Sequence, residues 1–195
     1  LISAIGNDRL GDEIIDQLDY VTTLISVNNW PTGEVDVQLK DGIPQYHIRE
    51  NVAWDYIEVR AEAIKETRAC DALCFGTLAQ RNPVSNISIQ ELLNIVPKHC
   101  LKVFDINLRQ DYYNKELVHE SLNKTDLLKI NEEELQVLST LFNLSGEETQ
   151  KIKQLSEIYS LQWVALTKGS KGSYLISETE INFQPIIKTK VVDTI

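Results

Sequence analysis

Five apolar runs, each too short for a helix, recur along this chain between amphipathic stretches, and that alternation constrains its fold more than any other feature. The runs are Ile2–Ile5, Ala72–Phe75, Leu101–Ile106, Leu127–Ile130 and Trp163–Leu166. A strand buried on both faces reads as an unbroken apolar run, so these segments predict a parallel sheet covered by helices. The stretches between them have helical periodicity. Ser88 and Glu91 have capping-box spacing ahead of a face formed by Ile89, Leu92, Leu93 and Val96, and Pro97 stops that helix. Trp54–Thr67 predicts a second helix with Ile57, Ala61 and Ile64 on one side. Glu147–Tyr159 predicts a third, with Ile152, Leu155 and Ile158 or Tyr159 inward. The expected architecture is α/β: a doubly wound, mostly parallel sheet with helices on both faces and ligands at the C-terminal ends of the strands.

One segment departs from that pattern. Val35, Val37 and Leu39 alternate with Glu34, Asp36, Gln38 and Lys40, which is the period of a half-exposed strand. Asp41-Gly42 supplies a hairpin turn, and Pro44 to Ile48 a returning strand. We therefore expect an α/β core over residues 1–28 and 50–195, with a β-hairpin lid inserted at 29–49. The lid's apolar face must cover a substrate, the parent domain or a partner subunit.

Charge and composition narrow the function. The formal net charge is −10, against the clustered basic surface that nucleic acid or an anionic membrane rewards. No stretch of about 18 apolar residues is present to span a bilayer. Cys70, Cys74 and Cys100 form no CxxC pair, and Cys74 lies among apolar neighbours, so a buried, reduced thiol at Cys74 and a cytoplasmic protein are expected. The chain contains no methionine, opens inside a strand and closes on the apolar-rich VVDTI, which reads as a piece of a longer protein.

The sequence holds no GxxxxGK[ST] loop, GxGxxG turn, HExxH or GxSxG, and its histidines, His47, His99 and His119, are scattered. Polar residues instead follow the predicted strands. Asp105, Asn107 and Arg109 leave one strand at alternating positions, presenting an acceptor, an amide and a guanidinium. Asn131 follows another strand with Glu134 three residues on. That spacing serves equally as a helix cap or as oxygens for a hydrated Mg²⁺ beside phosphates. Thr167, Lys168, Gly169 and Gly172 form a glycine-containing turn, suited to a hairpin or to a ligand approaching the backbone.

In their order along the chain these segments resemble the ribokinase-like (PfkB-type) family of sugar kinases. AIGNDRLGDEI is similar to the family's G-x-D-x-x-G segment (Gly6, Asp8, Gly11), and PTGEVDVQL to its lid strand. DINLR resembles D-x-N-x-R, KINEEEL the N-x-x-E motif, and LTKGSKG the T-x-G-x-x-G turn. VVDTI resembles the lead-in to D-T-x-G-A-G-D. The wording of PTGEV, NVAWD and DINLRQ is most similar to fructokinase-like members.

The resemblance implies MgATP-dependent phosphorylation of a sugar hydroxyl. It assigns Asn131 and Glu134 to Mg²⁺, through water, and Thr167, Lys168, Gly169 and Gly172 to the nucleotide. Arg109 is assigned to phosphate or substrate charge, Thr32, Gly33 and Asn107 to the substrate, and Asp193 to a monovalent cation such as K⁺. The general base, the last aspartate of G-A-G-D, would follow Ile195, so the segment by itself is expected to be inactive. A homodimer through the lid is a further expectation. Rival readings are a kinase for a 2-keto-3-deoxy sugar acid or a nucleoside, and a non-catalytic sugar- or nucleotide-binding protein of the same fold.

Overall fold

The computed structural model describes residues 1–18, 24–40 and 43–187. In chain order its elements begin with β1 (Ile2–Gly6), α1 (Arg9–Asp16), β2 (Leu24–Asn28), β3 (Val35–Lys40) and β4 (Ile43–Ile48). Next come α2 (Ala61–Thr67), β5 (Ala72–Phe75), α3 (Pro83–Ile95), β6 (Leu101–Asp105), α4 (Lys115–Leu122) and β7 (Leu127–Asn131). The last are α5 (Glu132–Phe142), α6 (Glu148–Tyr159), β8 (Trp163–Thr167), β9 (Ser173–Ile176) and β10 (Ile181–Gln184). The chain divides into two compact units: Leu1–Leu73 with Leu78–Cys100, and Cys74–Thr77 with the described part of Leu101–Ile195.

In the first unit β1 and β2 pair in parallel, and Ala4, Ala53 and Ile57 form a small core with Ile2 and Trp54. Beside it lies a buried ion pair. Arg81 donates to Asp55 from Nε at 2.7 Å and from Nη2 at 2.9 Å, and its guanidinium stacks 4.0 Å over the Trp54 ring. The predicted hairpin is present, with β3 and β4 antiparallel and Val35 opposite Ile48. Val35, Val37, Leu39 and Tyr46 are exposed. Glu34 and Asp36 are tied to Arg49 at 2.8 Å and 2.6 Å. The expected turn residues Asp41 and Gly42 lie outside the described residues.

Two helix expectations are corrected here. Trp54–Thr67 is not one helix: a 3-10 turn over Ala53–Tyr56 is followed by extended backbone at Ile57, and α2 starts at Ala61. The cause is α3, whose serines hold the Ile57 peptide groups. Ile57 N donates to Ser85 Oγ at 2.9 Å, and Ser88 Oγ donates to Ile57 O at 2.6 Å. Ser88 is therefore a buried interior residue of α3, not its cap. The cap is Asn82, whose side chain accepts from Val84 N ahead of Pro83 at the first helical position.

The second unit carries most of a six-stranded sheet in the order β10-β9-β8-β7-β6-β5, with β6, β7 and β8 parallel and β9 and β10 antiparallel. This is the expected mostly parallel α/β architecture, and each of the five apolar runs forms a strand. Burial along the strands alternates, however. Phe104, Leu128, Ile130, Val164 and Leu166 are buried on one face, where α5 packs on β7 and α6 on β8. Asp105, Lys129, Asn131, Ala165 and Thr167 are only half-buried. Cys74 follows the same alternation on the end strand β5 and is exposed, not buried as its apolar neighbours suggested.

Candidate functional site

The parallel strands of the second unit end side by side, with Asp105 opposite Lys129 and Asn131 opposite Thr167. Their C-terminal ends carry the polar residues singled out from the sequence. β6 stops at Asp105, whose carboxylate takes the Lys129 ammonium at 2.9 Å, a cross-strand partner that sequence spacing did not reveal. Ile106 is buried, and its carbonyl accepts from the Thr77 hydroxyl at 2.6 Å. Asn107 then takes a left-handed φ of 40°, so the alternation expected through Asp105, Asn107 and Arg109 ends with the strand. A non-glycine residue held in that region, away from a helix end, is backbone strain of the kind that clusters at ligand sites. Arg109 is exposed, and its guanidinium donates to the Leu108 carbonyl at 3.1 Å.

Asn131 and Glu134 form the reciprocal cap that opens α5. Asn131 Oδ1 accepts from Glu134 N at 2.8 Å, and Glu134 Oε2 accepts from Asn131 N at 2.8 Å. The second carboxylate oxygen of buried Glu134 accepts from Leu108 N at 3.0 Å. Glu134 thus binds the β6 loop to the β7–α5 turn, a link sequence reasoning missed because the Leu108 amide carries no side-chain signal. With both oxygens engaged, Glu134 fits a cation through an intervening water better than by direct ligation. Among the described residues no group of three or more His, Cys, Asp or Glu side chains is placed to hold a metal ion.

After β8 the chain turns tightly. Thr167 Oγ1 donates to Ile130 O at 3.3 Å, Lys168 N donates to Gly172 O at 2.9 Å, and Gly169 and Gly172 have φ values of 52° and 104°. The glycines differ in what surrounds them. A Cβ on Gly172 would fall 2.5 Å from Gln184 O, whereas one on Gly169 would meet nothing within 4 Å. Gly169 is an opening where a ligand can reach backbone. Lys168 Nζ lies 2.6 Å from Glu148 and 3.3 Å from Glu132, and Lys171 lies 3.2 Å from Glu132. The Glu148 hydrogen bond, with Glu132, raises the Lys168 ammonium above its ordinary range. Burial pushes the Glu132 carboxyl up, but Lys171 and Lys168 outweigh it and hold the carboxyl low.

Thr32 and Gly33 belong to the first unit, at the foot of the hairpin. Thr32 is buried; its hydroxyl donates to Asp8 Oδ1 at 2.7 Å and accepts from Gly6 N at 2.9 Å. A Cβ on Gly33 would fall 2.2 Å from Trp54 Nε1, so only glycine allows that approach. Asp193 lies outside the described residues.

The description "pfkB family carbohydrate kinase" matches residues 47–195. The chain belongs to that family.

Solved structures share the fold. A fructokinase with bound ATP from Xylella fastidiosa superposes with TM-score 0.82 at 18% identity, covering 98% of this chain and 62% of that one. A putative ribokinase II from E. coli, in complex with ATP and Mg²⁺, gives 0.79 at 21% identity, with 98% and 63% covered. An uncharacterized sugar kinase from Pyrococcus horikoshii in complex with ATP gives 0.77 at 24% identity, with 100% and 63% covered. The chain thus spans less than two thirds of the length of these PfkB-fold kinases. No curated protein sequence matches it. Among the described residues no helix is long and apolar enough to cross a membrane.

Proposed function

We propose that the complete protein transfers the γ-phosphoryl group of ATP to a hydroxyl of a small sugar, fructose-like before others. The observation that carries this reading is the meeting, at neighbouring strand ends, of strained Asn107 with Arg109, the Asn131–Glu134 cap, and the open Gly169 turn. Bound MgATP supplies the phosphoryl group and neutralises much of its charge. In this reading the Gly169 backbone and Thr167 face the nucleotide, with Lys168 fixed beside them by Glu148 and Glu132, and Gly172 shapes the turn. Asn131 and Glu134 orient water around Mg²⁺, and Glu134 steadies the Leu108 amide next to Arg109. Arg109 gives its exposed guanidinium to the transferring phosphoryl group, and Asn107 contacts the sugar. A general-base aspartate C-terminal to Ile195 takes the hydroxyl proton, and Asp193 contributes to a monovalent cation site for K⁺.

The lid in this proposal is the segment 29–49. Thr32 and Gly33, at its foot, are substrate-binding residues in this reading, and the lid keeps water from competing as acceptor. The exposed Val35, Val37, Leu39 and Tyr46 support a homodimer through paired lids. Three cysteines outside any disulfide support a cytoplasmic protein.

The test is ADP release by the complete protein with ATP, Mg²⁺ and a panel of acceptors. Fructose-dependent ADP supports the reading. Turnover only with a 2-keto-3-deoxy sugar acid or a nucleoside would move the assignment to that acceptor. Ligand-induced stabilisation without any ADP would make the protein a binder.

A further inference from the structure

The turn leading into β5 and the turn leading into β6 meet at two thiols that phosphoryl transfer does not use. Cys70 Sγ and Cys100 Sγ lie 3.4 Å apart, although 30 positions separate them in sequence. That is contact between unbonded sulfurs, and a bond needs them to close to about 2 Å. The neighbouring residues meet as well: His99 Nε2 lies 3.5 Å from Asp71 Oδ1 on the exposed side. The two segments therefore touch at consecutive residue pairs, 70 with 100 and 71 with 99, so their alignment does not rest on the sulfurs alone. Cys70 Sγ is oriented by donating to Thr67 O at 3.1 Å, and Cys100 N is fixed on Pro97 O at 3.0 Å. Cys70 is half-buried and Cys100 is 3% exposed, which gives one thiol a reagent can reach and one shielded thiol behind it.

We propose that Cys70 and Cys100 are a redox pair, closed to an intramolecular disulfide by a peroxide or a small-molecule disulfide and reopened by a dithiol. With hydrogen peroxide, the Cys70 thiolate attacks one oxygen, the O–O bond breaks, and one water leaves a sulfenic acid on Cys70. The Cys100 sulfur then attacks the Cys70 sulfur, the S–O bond breaks, and a second water departs. Two thiols are oxidised by two electrons and the peroxide is reduced to two waters. The bond ties together the approaches to β5 and β6, which are neighbours in the sheet, and closes a ring containing β5 and α3. Such a ring restricts the unfolded chain and raises stability.

The experiment treats the purified protein with stoichiometric hydrogen peroxide or oxidised glutathione and follows intact mass, proteolytic peptides and melting temperature. The expected result is a loss of about 2 Da, a peptide joining Cys70 to Cys100, and a melting temperature higher by roughly 5 °C. Dithiothreitol should reverse all of these. Cys74→Ser, a change at an exposed position, should leave them intact. A mass gain of about 16 or 32 Da on Cys70 with Cys100 still free would overturn the proposal, as would linkage of either thiol to Cys74 or between two chains. Because peptides of the unsubstituted protein decide the question, it does not depend on whether a Cys70→Ser variant folds. It is also independent of any kinase assay.

Discussion

Asp8 and Thr32 are joined twice: the Asp8 carboxylate accepts from the Thr32 amide at 2.8 Å and from its hydroxyl at 2.7 Å. The same carboxylate caps α1 through Gly11 N at 2.9 Å. A Cβ on Gly6 would collide with Asp8 Oδ2 at 2.4 Å, and one on Gly11 would strike Gly6 O at 2.4 Å. The G-x-D-x-x-G pattern is thus a socket that seats the foot of the hairpin on the start of a helix.

Thr32→Val keeps the shape of this buried side chain and removes its hydroxyl, leaving the Gly6 amide without its acceptor. We expect a loss of about 1–3 kcal/mol in urea unfolding. No change would mean that the socket does not hold the hairpin.

The socket also predicts an acid dependence. Hydrogen bonds from the Thr32 amide and hydroxyl, then from Gly11, hold the Asp8 carboxyl below the usual carboxylate range. A depressed carboxyl contributes stability that is present above its unfolded pKa and lost as pH falls through its lower folded value. The contribution should be complete above about pH 5 and fade below about pH 4. Thr32→Val should show a shallower loss over that window in melts taken at successive pH values.

Arg81→Ala removes one partner of a buried ion pair and leaves the Asp55 carboxylate enclosed, since both side chains are at most 5% exposed. The cost should be about 3–5 kcal/mol, measured by urea unfolding. It should also change Trp54 fluorescence, because the guanidinium lies 4.0 Å over that ring.

The two glycines of the β8–β9 turn should separate stability from binding. Gly172→Ala meets the Gln184 carbonyl and the Phe183 ring and should lower the melting temperature strongly. Gly169→Ala enters open space and costs about 1–2 kcal/mol for its left-handed backbone. In the proposed function it should also abolish the melting shift that ATP gives. An unaltered ATP shift in Gly169→Ala would remove that turn from the nucleotide site.

Arg109→Ala addresses the proposed phosphate contact. The side chain is exposed, so stability should stay within about 0.5 kcal/mol. Turnover in the complete enzyme should fall roughly 100-fold if the guanidinium meets developing phosphate charge. Equal losses of stability and activity would indicate a structural role instead.

The strands were legible because each is a short apolar run, and the hairpin because its period is two. The helix over Trp54–Thr67 was misread because the local pattern does not show that Ser85 and Ser88 of α3 hold the Ile57 peptide groups. The start of α3 was in fact written in the sequence as Asn82-Pro83, a cap followed by proline, and was obscured by the more familiar spacing of Ser88 and Glu91. Within the candidate site, the helix cap made by Asn131 and Glu134 was legible from their spacing. The Lys129 partner of Asp105 and the Glu148 partner of Lys168 come from other strands and helices, so only the folded chain brings them together. The contact between Cys70 and Cys100 belongs to the same class.

Sugar phosphorylation is tested by mixing the complete protein with ATP, Mg²⁺ and fructose and following ADP together with the ³¹P signal of a sugar phosphate. ADP and sugar phosphate are expected in equal amounts, appearing only when the sugar is present. ADP release indifferent to every sugar offered, or none at all from a protein that binds ATP, would contradict it.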